Sequence, residues 1–399
     1  MNETEKNRDS EKLKVIKEGL VEITIPEFEK ISSEAPVFYN PQMEFNRDIS
    51  ILAIQECQEE IGKKVDICDV FGGSGIRAIR YKKEIENTGE ITVNDISDDA
   101  IEFERINAKN NNTELNFHQM EANILLREFK GKFDIIDIDP FGSPSFFMDS
   151  VGYSVKKNAM VCVTATDTSA LCGTYLEPCI RKYNATPYKS EYCHETGIRI
   201  LIGFIALSFA KHKKYIETKL SHSSQHYLRL YLKVKKSSKS TDKSLKENIG
   251  YIKHCPKCLY RSSVKGLTTD INKTCPECNN DLAIAGPLWM GEIQNKEFIS
   301  SMKSKIPNKN LKTSKKVLNL LNTCEEEANS IISFYDMHKI CRILKISVPK
   351  LNSVLETLKK EGFLATNTHF NPVGIRTNCD ISRLKKIVYD LSPDSKTEL

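Results

Sequence analysis

The chain has 399 residues, and at about 100–200 residues per domain it makes two or three domains. With 40% hydrophobic and 28% charged residues it has the balance of a soluble globular protein, which excludes largely disordered classes. The polar start MNETEKNRDS has no signal-like apolar core, and the apolar run Ile200 to Ala210 falls short of the ~20 residues of a membrane span. The expectation is a cytoplasmic protein without a membrane partner.

The net charge of +5 is unevenly spread. Residues 211–240 hold nine Lys/Arg and one acid, and residues 301–320 hold six Lys and no acid, so the rest of the chain is net acidic. Such runs are either a surface for a polyanion, where each neutralised phosphate releases counterions, or solvated linker. The 13 cysteines are an odd number and fit a disulfide scaffold poorly.

In chain order, residues 1–62 read as a mixed leader with a short alternating run (Val21 to Ile25) and a turn-rich stretch, APVFYNPQMEFNRD. Apolar β-rich runs follow at 65–70, 90–95, 115–120, 133–139 and 159–166, with helical spacing between the first three, as in DDAIEFERINAKN (98–110). Strands alternating with helices predict a parallel sheet covered on both faces. A long helix is expected around Gly197 to His212, then an antiparallel strand in HYLRLYLKV (226–234). The segment KSSKSTDKSLKEN (236–248) reads as the main domain linker. Residues 312–363 read as helices with periodic Leu and Ile, and the stretch from Met337 onward resembles a winged helix-turn-helix.

Three motifs carry chemistry. In DVFGGSGIRA (69–78), Gly73, Gly75 and Ala78 fit G-x-G-x-x-G/A between a strand and a helix, and Asp95 lies 20 residues beyond Gly75. Glycines let backbone approach a ligand, the helix N-terminus offers free N–H donors, and an acid at the second strand end accepts ribose hydroxyls. NAD, FAD and S-adenosylmethionine sites all share this pattern. Glu121-Ala122, at the third strand end, could bracket an adenine ring, or Glu121 could be a solvated loop acid.

The fourth strand ends in Asp137-Ile138-Asp139-Pro140-Phe141-Gly142. Asp139-Pro140-Phe141 resembles the (Asp/Asn)-Pro-Pro-aromatic motif of enzymes that methylate base amines. A base amine is a poor nucleophile because its lone pair is delocalised into the ring, and a carboxylate accepting its N–H restores density on nitrogen. Pro140 has no N–H, and Phe141 can stack on a base taken out of its stack. Asp137 is expected on the same side of the strand as Asp139, by the period of two.

The third motif is Cys255-x2-Cys258 and Cys275-x2-Cys278, with 16 residues between the pairs. The spacing fits a structural zinc whose four thiolates leave no open position. His254 reads as a bystander, Trp289 as core, and His194-Glu195 as an RNA contact or a helix cap. The other nine cysteines read as reduced packing residues.

Together, VFYNPQMEFNRD (37–48), DVFGGSGIRA, DIDPFGSP (137–144), TATDTSALCG (164–173), YCHETGIRIL (192–201), the cysteine quartet and HFNPVGIRT (369–377) resemble the tRNA (guanine-N2)-dimethyltransferases of archaea and eukaryotes, with a length like the archaeal branch. The resemblance implies a class I S-adenosylmethionine-dependent methyltransferase domain, Rossmann-like α/β, over residues 1–240 with its N-terminal extension. It implies a C-terminal α+β tRNA-binding domain over 241–399, with a zinc-ribbon-like module at 251–290 and a winged-helix-like segment at 330–385. It further implies that Arg47, Arg77, Asp95, Glu121 and Ala122 contact the cofactor, and that Asp139 is the catalytic carboxylate acting on N2 of guanine 26 of tRNA. Nothing calls for an obligate protein partner, and a monomer is expected. The rivals are a base-amine methyltransferase for DNA or ribosomal RNA, an NAD oxidoreductase, and a non-catalytic zinc-ribbon nucleic-acid-binding protein.

Overall fold

The computed structural model describes residues 13–27, 37, 39–267 and 270–396. A hairpin of β1 (Leu13–Glu18) and β2 (Val21–Pro26) precedes α1 (Glu44–Ile61), β3 (Val65–Asp69), α2 (Ile76–Glu84), β4 (Thr88–Asp95), α3 (Asp98–Asn110), β5 (Asn116–Gln119), α4 (Ala122–Glu128), β6 (Ile135–Ile138), α5 (Met148–Ser154) and β7 (Met160–Ala165). Then come α6 (Thr168–Leu171), α7 (Leu176–Tyr183), α8 (Cys193–Ala210), β8 (Lys214–Ser224), β9 (Tyr227–Lys236), α9 (Ser238–Asn248), β10 (Ile249–His254), β11 (Arg261–Lys265) and β12 (Ala283–Trp289). The chain finishes with α10 (Lys296–Lys305), α11 (Ser314–Glu326), β13 (Tyr335–Asp336), α12 (Met337–Leu344), α13 (Leu351–Lys360), β14 (Ala365–Thr368), β15 (Asn371–Thr377) and α14 (Ile381–Asp390).

The main sheet has seven strands in the order β5–β4–β3–β6–β7–β9–β8. The pairings β4–β5, β3–β4, β3–β6 and β6–β7 are parallel. Two residues, Gln225 (φ 50°) and His226, join β8 to β9, a connection only antiparallel neighbours allow. The sheet is therefore mixed. All four residues of β6 and all six of β7 are buried, the pattern of strands covered on both faces. The five expected apolar runs are β3 to β7, and DDAIEFERINAKN is α3. Its N-cap Ser97 accepts from the Ala100 N–H, and Asp98 and Asp99 follow in the first turn.

The described chain forms two compact units. One runs to Thr164 and includes Tyr231–Lys235 and Ser300–Asn319; the other is Ala165–Leu230, Lys236–Ile299 and Leu320 onward. A single boundary near residue 240 does not match this, because the chain passes between the units several times. Nor is 236–248 an extended linker. It is α9, with Ser237 Oγ accepting from Ser240 N at 3.2 Å and with Thr241 and Ser244 buried three residues apart on one face. Within the turn-rich stretch, the end folds as the start of α1 after Asn40 caps the short turn Pro41–Met43.

In the first unit, the β1–β2 hairpin packs Val21, Ile23 and Ile25 on Ile76, Ile79 and Ala108. The Asn107 side chain holds β2 by accepting from Thr24 N (2.7 Å) and donating to Thr24 O (3.0 Å). Half of the six lysines in the basic run 301–320 pair with acids inside this unit. Lys305 Nζ sits 2.6 Å from Glu56 and 2.9 Å from Glu59, Lys312 3.4 Å from Glu44, and Lys309 3.8 Å from Glu86. Lys315 and Lys316 remain exposed. In the run 211–240, Lys214, Arg229 and Lys233 are buried, while Lys211, Lys213, Lys236 and Lys239 are exposed.

In the second unit, α8 is long and apolar enough to cross a membrane, yet most of it is buried inside the protein. Its first turns carry a buried charge network. Glu195 pairs with Arg199 (2.8 Å) and Arg376 (2.8 Å), and Arg376 pairs with Glu327 (3.1 Å), which also accepts from His369 Nδ1 and Thr368 Oγ1. Glu195 is therefore neither an exposed RNA contact nor a cap. Trp289 is buried, as expected. Two three-stranded sheets, β11–β10–β12 and β13–β15–β14, complete the unit.

Candidate active site and metal centre

The ends of β3, β4, β5 and β6 carry the first unit's polar cluster. Beyond β3, Gly73 (φ 56°) and Gly75 (φ 76°) turn the chain into α2. A Cβ on Gly72 would meet Glu104 Oε1 at 2.2 Å and Val93 Cγ2 at 2.3 Å, so the loop lies directly against α3 and the sheet with no room for a side chain there. Glu104 is fully buried beneath it, and neither carboxyl oxygen has a hydrogen-bond partner. Burial, reinforced by Asp95 and Asp69, pushes its carboxyl up to about 10. It is therefore a neutral acid at ordinary pH.

Asp95 ends β4. Its Oδ2 accepts from Gly73 N at 3.0 Å and its Oδ1 from Ser97 N at 3.0 Å. This fixes the carboxylate beside the glycine loop, and a carboxylate has about four lone-pair sites, enough to accept hydroxyls as well. Ile96 follows with 69% of its surface exposed, an apolar face beside that acid. Glu121 caps α4, accepting from Asn123 N (2.9 Å) and Ile124 N (3.1 Å), so it is tied to backbone and is not a freely solvated acid; Ala122 is buried behind it.

At the β6 end, Asp137 and Asp139 face the same way, as the strand period requires. Arg77 Nη2 donates to Asp139 Oδ2, and Arg77 Nη1 lies 3.5 Å from Asp137 Oδ2. The Tyr81 hydroxyl donates to Asp137. Arg77 and Tyr81 stand four residues apart on one face of α2, a spacing visible in the sequence and easily passed over. Asn46 Oδ1 accepts from Arg77 at 3.2 Å. Asp69, also buried here, is pushed up to about 7 by burial, Asp137 and Asp139, against the pull of Arg77. Phe141 is 55% exposed and Phe146 67%, so two apolar side chains flank this strand end in the open. Arg47 follows Asn46 on α1; its guanidinium is bidentate to Glu18 (2.6 Å twice) and packs over Tyr39.

In the second unit, the four sulfurs of Cys255, Cys258, Cys275 and Cys278 converge within 4.8 Å. Cys255–Cys278 and Cys258–Cys275 are each 3.5 Å apart, far beyond the ~2.05 Å of a disulfide. The two CPxC turns match: Leu259 N donates to Cys255 O (3.0 Å) and Asn279 N to Cys275 O (2.9 Å), with φ 68° and 57° at the donors. The set can hold a metal ion. His254 is buried against the rings of Tyr188 and Tyr192 and is no part of it.

Comparison with known proteins gives the family. The family model for N2,N2-dimethylguanosine tRNA methyltransferase matches residues 19–389. The chain belongs to this family. It is 59% identical over 385 residues to the tRNA (guanine(26)-N(2))-dimethyltransferase of Methanobrevibacter smithii, covering 96% of this chain and 99% of the relative. It is 46% identical to the enzyme of the same name from Methanothermobacter thermautotrophicus, covering 95% and 99%. The crystal structure of Trm1 from Pyrococcus horikoshii with S-adenosyl-L-methionine superposes with a TM-score of 0.84 at 33% identity, covering 94% of this chain and all of that one.

Proposed function

We propose that the chain methylates the exocyclic N2 amine of guanine 26 of tRNA, once and then again, using S-adenosylmethionine. The observation that carries this is the strand-end row of glycine loop, Asp95 and the Arg77-held Asp139, in a chain that matches tRNA (guanine(26)-N(2))-dimethyltransferases along nearly its whole length. Counting from β3, the sheet order is 3-2-1-4-5-7-6, which supports the class I methyltransferase reading.

The residues present fit the cofactor: Asp95 has acceptor capacity for a ribose, Ile96 offers an apolar face, and the loop has no side chain in the way. When bound, S-adenosylmethionine supplies a methyl group on a positively charged sulfur. Asp95 would hold the ribose end, and Glu121 and Ala122 would line the adenine. Asp139 Oδ2 is occupied by Arg77, so Oδ1 takes the N–H of the guanine amine, orients its lone pair and accepts the proton released on transfer. Phe141 stacks on the extruded base, an interaction worth about 1–3 kcal/mol. Because the methyl is already activated, the chain's work is positioning and polarisation. Arg77 acts in this reading through Asp139.

The quartet fits zinc. With Zn–S at about 2.3 Å, tetrahedral sulfurs stand about 3.8 Å apart, close to the 3.5 Å seen. Four thiolates make the role structural. The order β13–α12–α13–β14–β15, with β15 central in its sheet, is that of a winged helix and supports a tRNA-binding role for this region.

The test is mass spectrometry of nucleosides after incubating unmodified tRNA and cofactor with the protein. Dimethylguanosine should form with wild-type tRNA and vanish when guanine 26 is replaced by adenine. Methylation that persists at another position would overturn the assignment.

A further inference from the structure

Two motifs, TATDTSALCG and YCHETGIRIL, supply no residue to the site above. They meet in the second unit. Cys172 caps the C-terminal end of α6, and Cys193 and His194 open α8. The chain is drawn together just beyond Cys172: Gly173 has φ 83°, and a Cβ there would stand 2.8 Å from Lys189 N. This close backbone approach brings the end of α6 to the segment that leads into α8.

We propose that Cys172, Cys193 and His194 form a second metal site, for Zn2+, separate from the quartet. The two sulfurs and a ring nitrogen all lie within 4.8 Å of one another. Cys172 Sγ is 3.5 Å from His194 Nδ1, and Cys193 Sγ lies within 4.8 Å of both. A zinc with Zn–S of about 2.3 Å and Zn–N of about 2.0–2.1 Å sets a tetrahedral S···N edge of about 3.5 Å, so the observed edge needs no rearrangement. Two thiolates and an imidazole are a soft donor set that selects zinc over magnesium or calcium. Ser223 Oγ, 3.4 Å from Nδ1, is an oxygen donor beside the cluster. Cys172 is buried, whereas Cys193 and His194 are half-buried, so an ion has a route in.

A similar trio, Cys324, Glu327 and His369, does not qualify. There Arg376 and Thr368 already hold Glu327, His369 Nδ1 donates to it, and His369 Nε2 accepts from Ser223 N at 3.4 Å. A guanidinium stands where an ion would bring its charge. In the first trio, three protein ligands leave one position to water, and the ion pins the start of α8 to the end of α6.

The experiment is metal analysis of full-length protein produced with zinc supplied, together with native thiol alkylation read by mass spectrometry. Two zinc ions per chain are expected, falling to one in Cys193→Ser and to one in Cys275→Ser. In the wild-type protein, Cys172 and Cys193 should resist alkylation until a chelator is added, a readout that does not depend on any variant folding. One zinc per chain, equal alkylation with and without chelator, or a Cys172–Cys193 disulfide in the native protein would each overturn the proposal.

Discussion

Arg77 binds Asp139 with one guanidinium nitrogen and stands 3.5 Å from Asp137 with the other, so one buried cation holds both acids of the β6 end. The pairing sets the direction of the Asp139 carboxylate. It also means that removing Arg77 leaves two acids crowded around a buried space with no compensating charge.

Arg77→Met is therefore expected to destabilise the protein by about 3–5 kcal/mol, the usual cost of breaking a buried pair from one side. Arg77→Lys should restore part of that stability but not the geometry at Asp139, since a lysine cannot present the guanidinium fork. Urea unfolding and single-turnover methylation of the two variants separate the effects. Equal methylation in Arg77→Lys and wild type would show that Arg77 does not position Asp139.

Glu104 predicts an unusual pH dependence. Its folded carboxyl lies near 10, above the unfolded value of about 4.3. Between those values the unfolded state has lost a proton that the folded state keeps, so stability from this group is full below about pH 4.3 and falls as pH rises toward 10. The slope is about 1.4 kcal/mol per pH unit. Glu104→Gln should remove that slope and raise stability at neutral pH. Unfolding midpoints of wild type and variant across pH 5–9 check it; parallel curves would refute it.

The Glu327 carboxyl works the other way. Burial pushes it up, but His369 and Arg376 outweigh burial and hold it down at about 2. A depressed acid stabilises above its unfolded value of about 4.3, and that contribution is lost as pH falls through about 2. Glu327→Gln should cost about 3–5 kcal/mol at neutral pH, because Arg376 loses a buried partner, and the loss should shrink in acid. Acid titration followed by circular dichroism measures both.

The lysines divide into two groups. Lys305→Glu places a third acid beside Glu56 and Glu59 and should lower the melting temperature. Reversing the exposed Lys315 and Lys316 together should leave melting unchanged and flatten the salt dependence of tRNA binding, by about 0.7–0.9 in log–log slope for each phosphate no longer neutralised. An unchanged slope would make these two merely solvated.

The parallel strands were legible because each is a short apolar run ending in an acid or a turn, and α3 because Ser97, Asp98 and Asp99 write its start. The α9 segment was not, since Ser and Lys have loop-like composition; its face of Thr241 and Ser244 shows only once it is wound as a helix. The run 301–320 read as either a polyanion surface or solvated linker because its partners, Glu44, Glu56 and Glu59, lie some 250 residues earlier, beyond any local pattern. Asp95 and Asp139 stood out in the sequence because each is an acid at the end of an apolar strand, and the structure places both in the strand-end cluster. The attachment of Arg77 to Asp139 could not, because it depends on how α2 lies over β6.

The most direct measurement of the account is single-turnover methylation of tRNA, with cofactor in excess, by Asp139→Asn beside Asp137→Asn. Asparagine keeps the size of Asp139 and one acceptor but removes the charge and can turn a donor toward the amine. The rate should fall by about 10²–10³ while cofactor and tRNA affinities hold, since the lost interaction belongs to the transition state. Asp137→Asn, buried against Tyr81 and Arg77, should act mainly through stability. A near-normal rate in Asp139→Asn with a collapse only in Asp137→Asn would contradict the assignment of Asp139 as the carboxylate that receives the guanine amine.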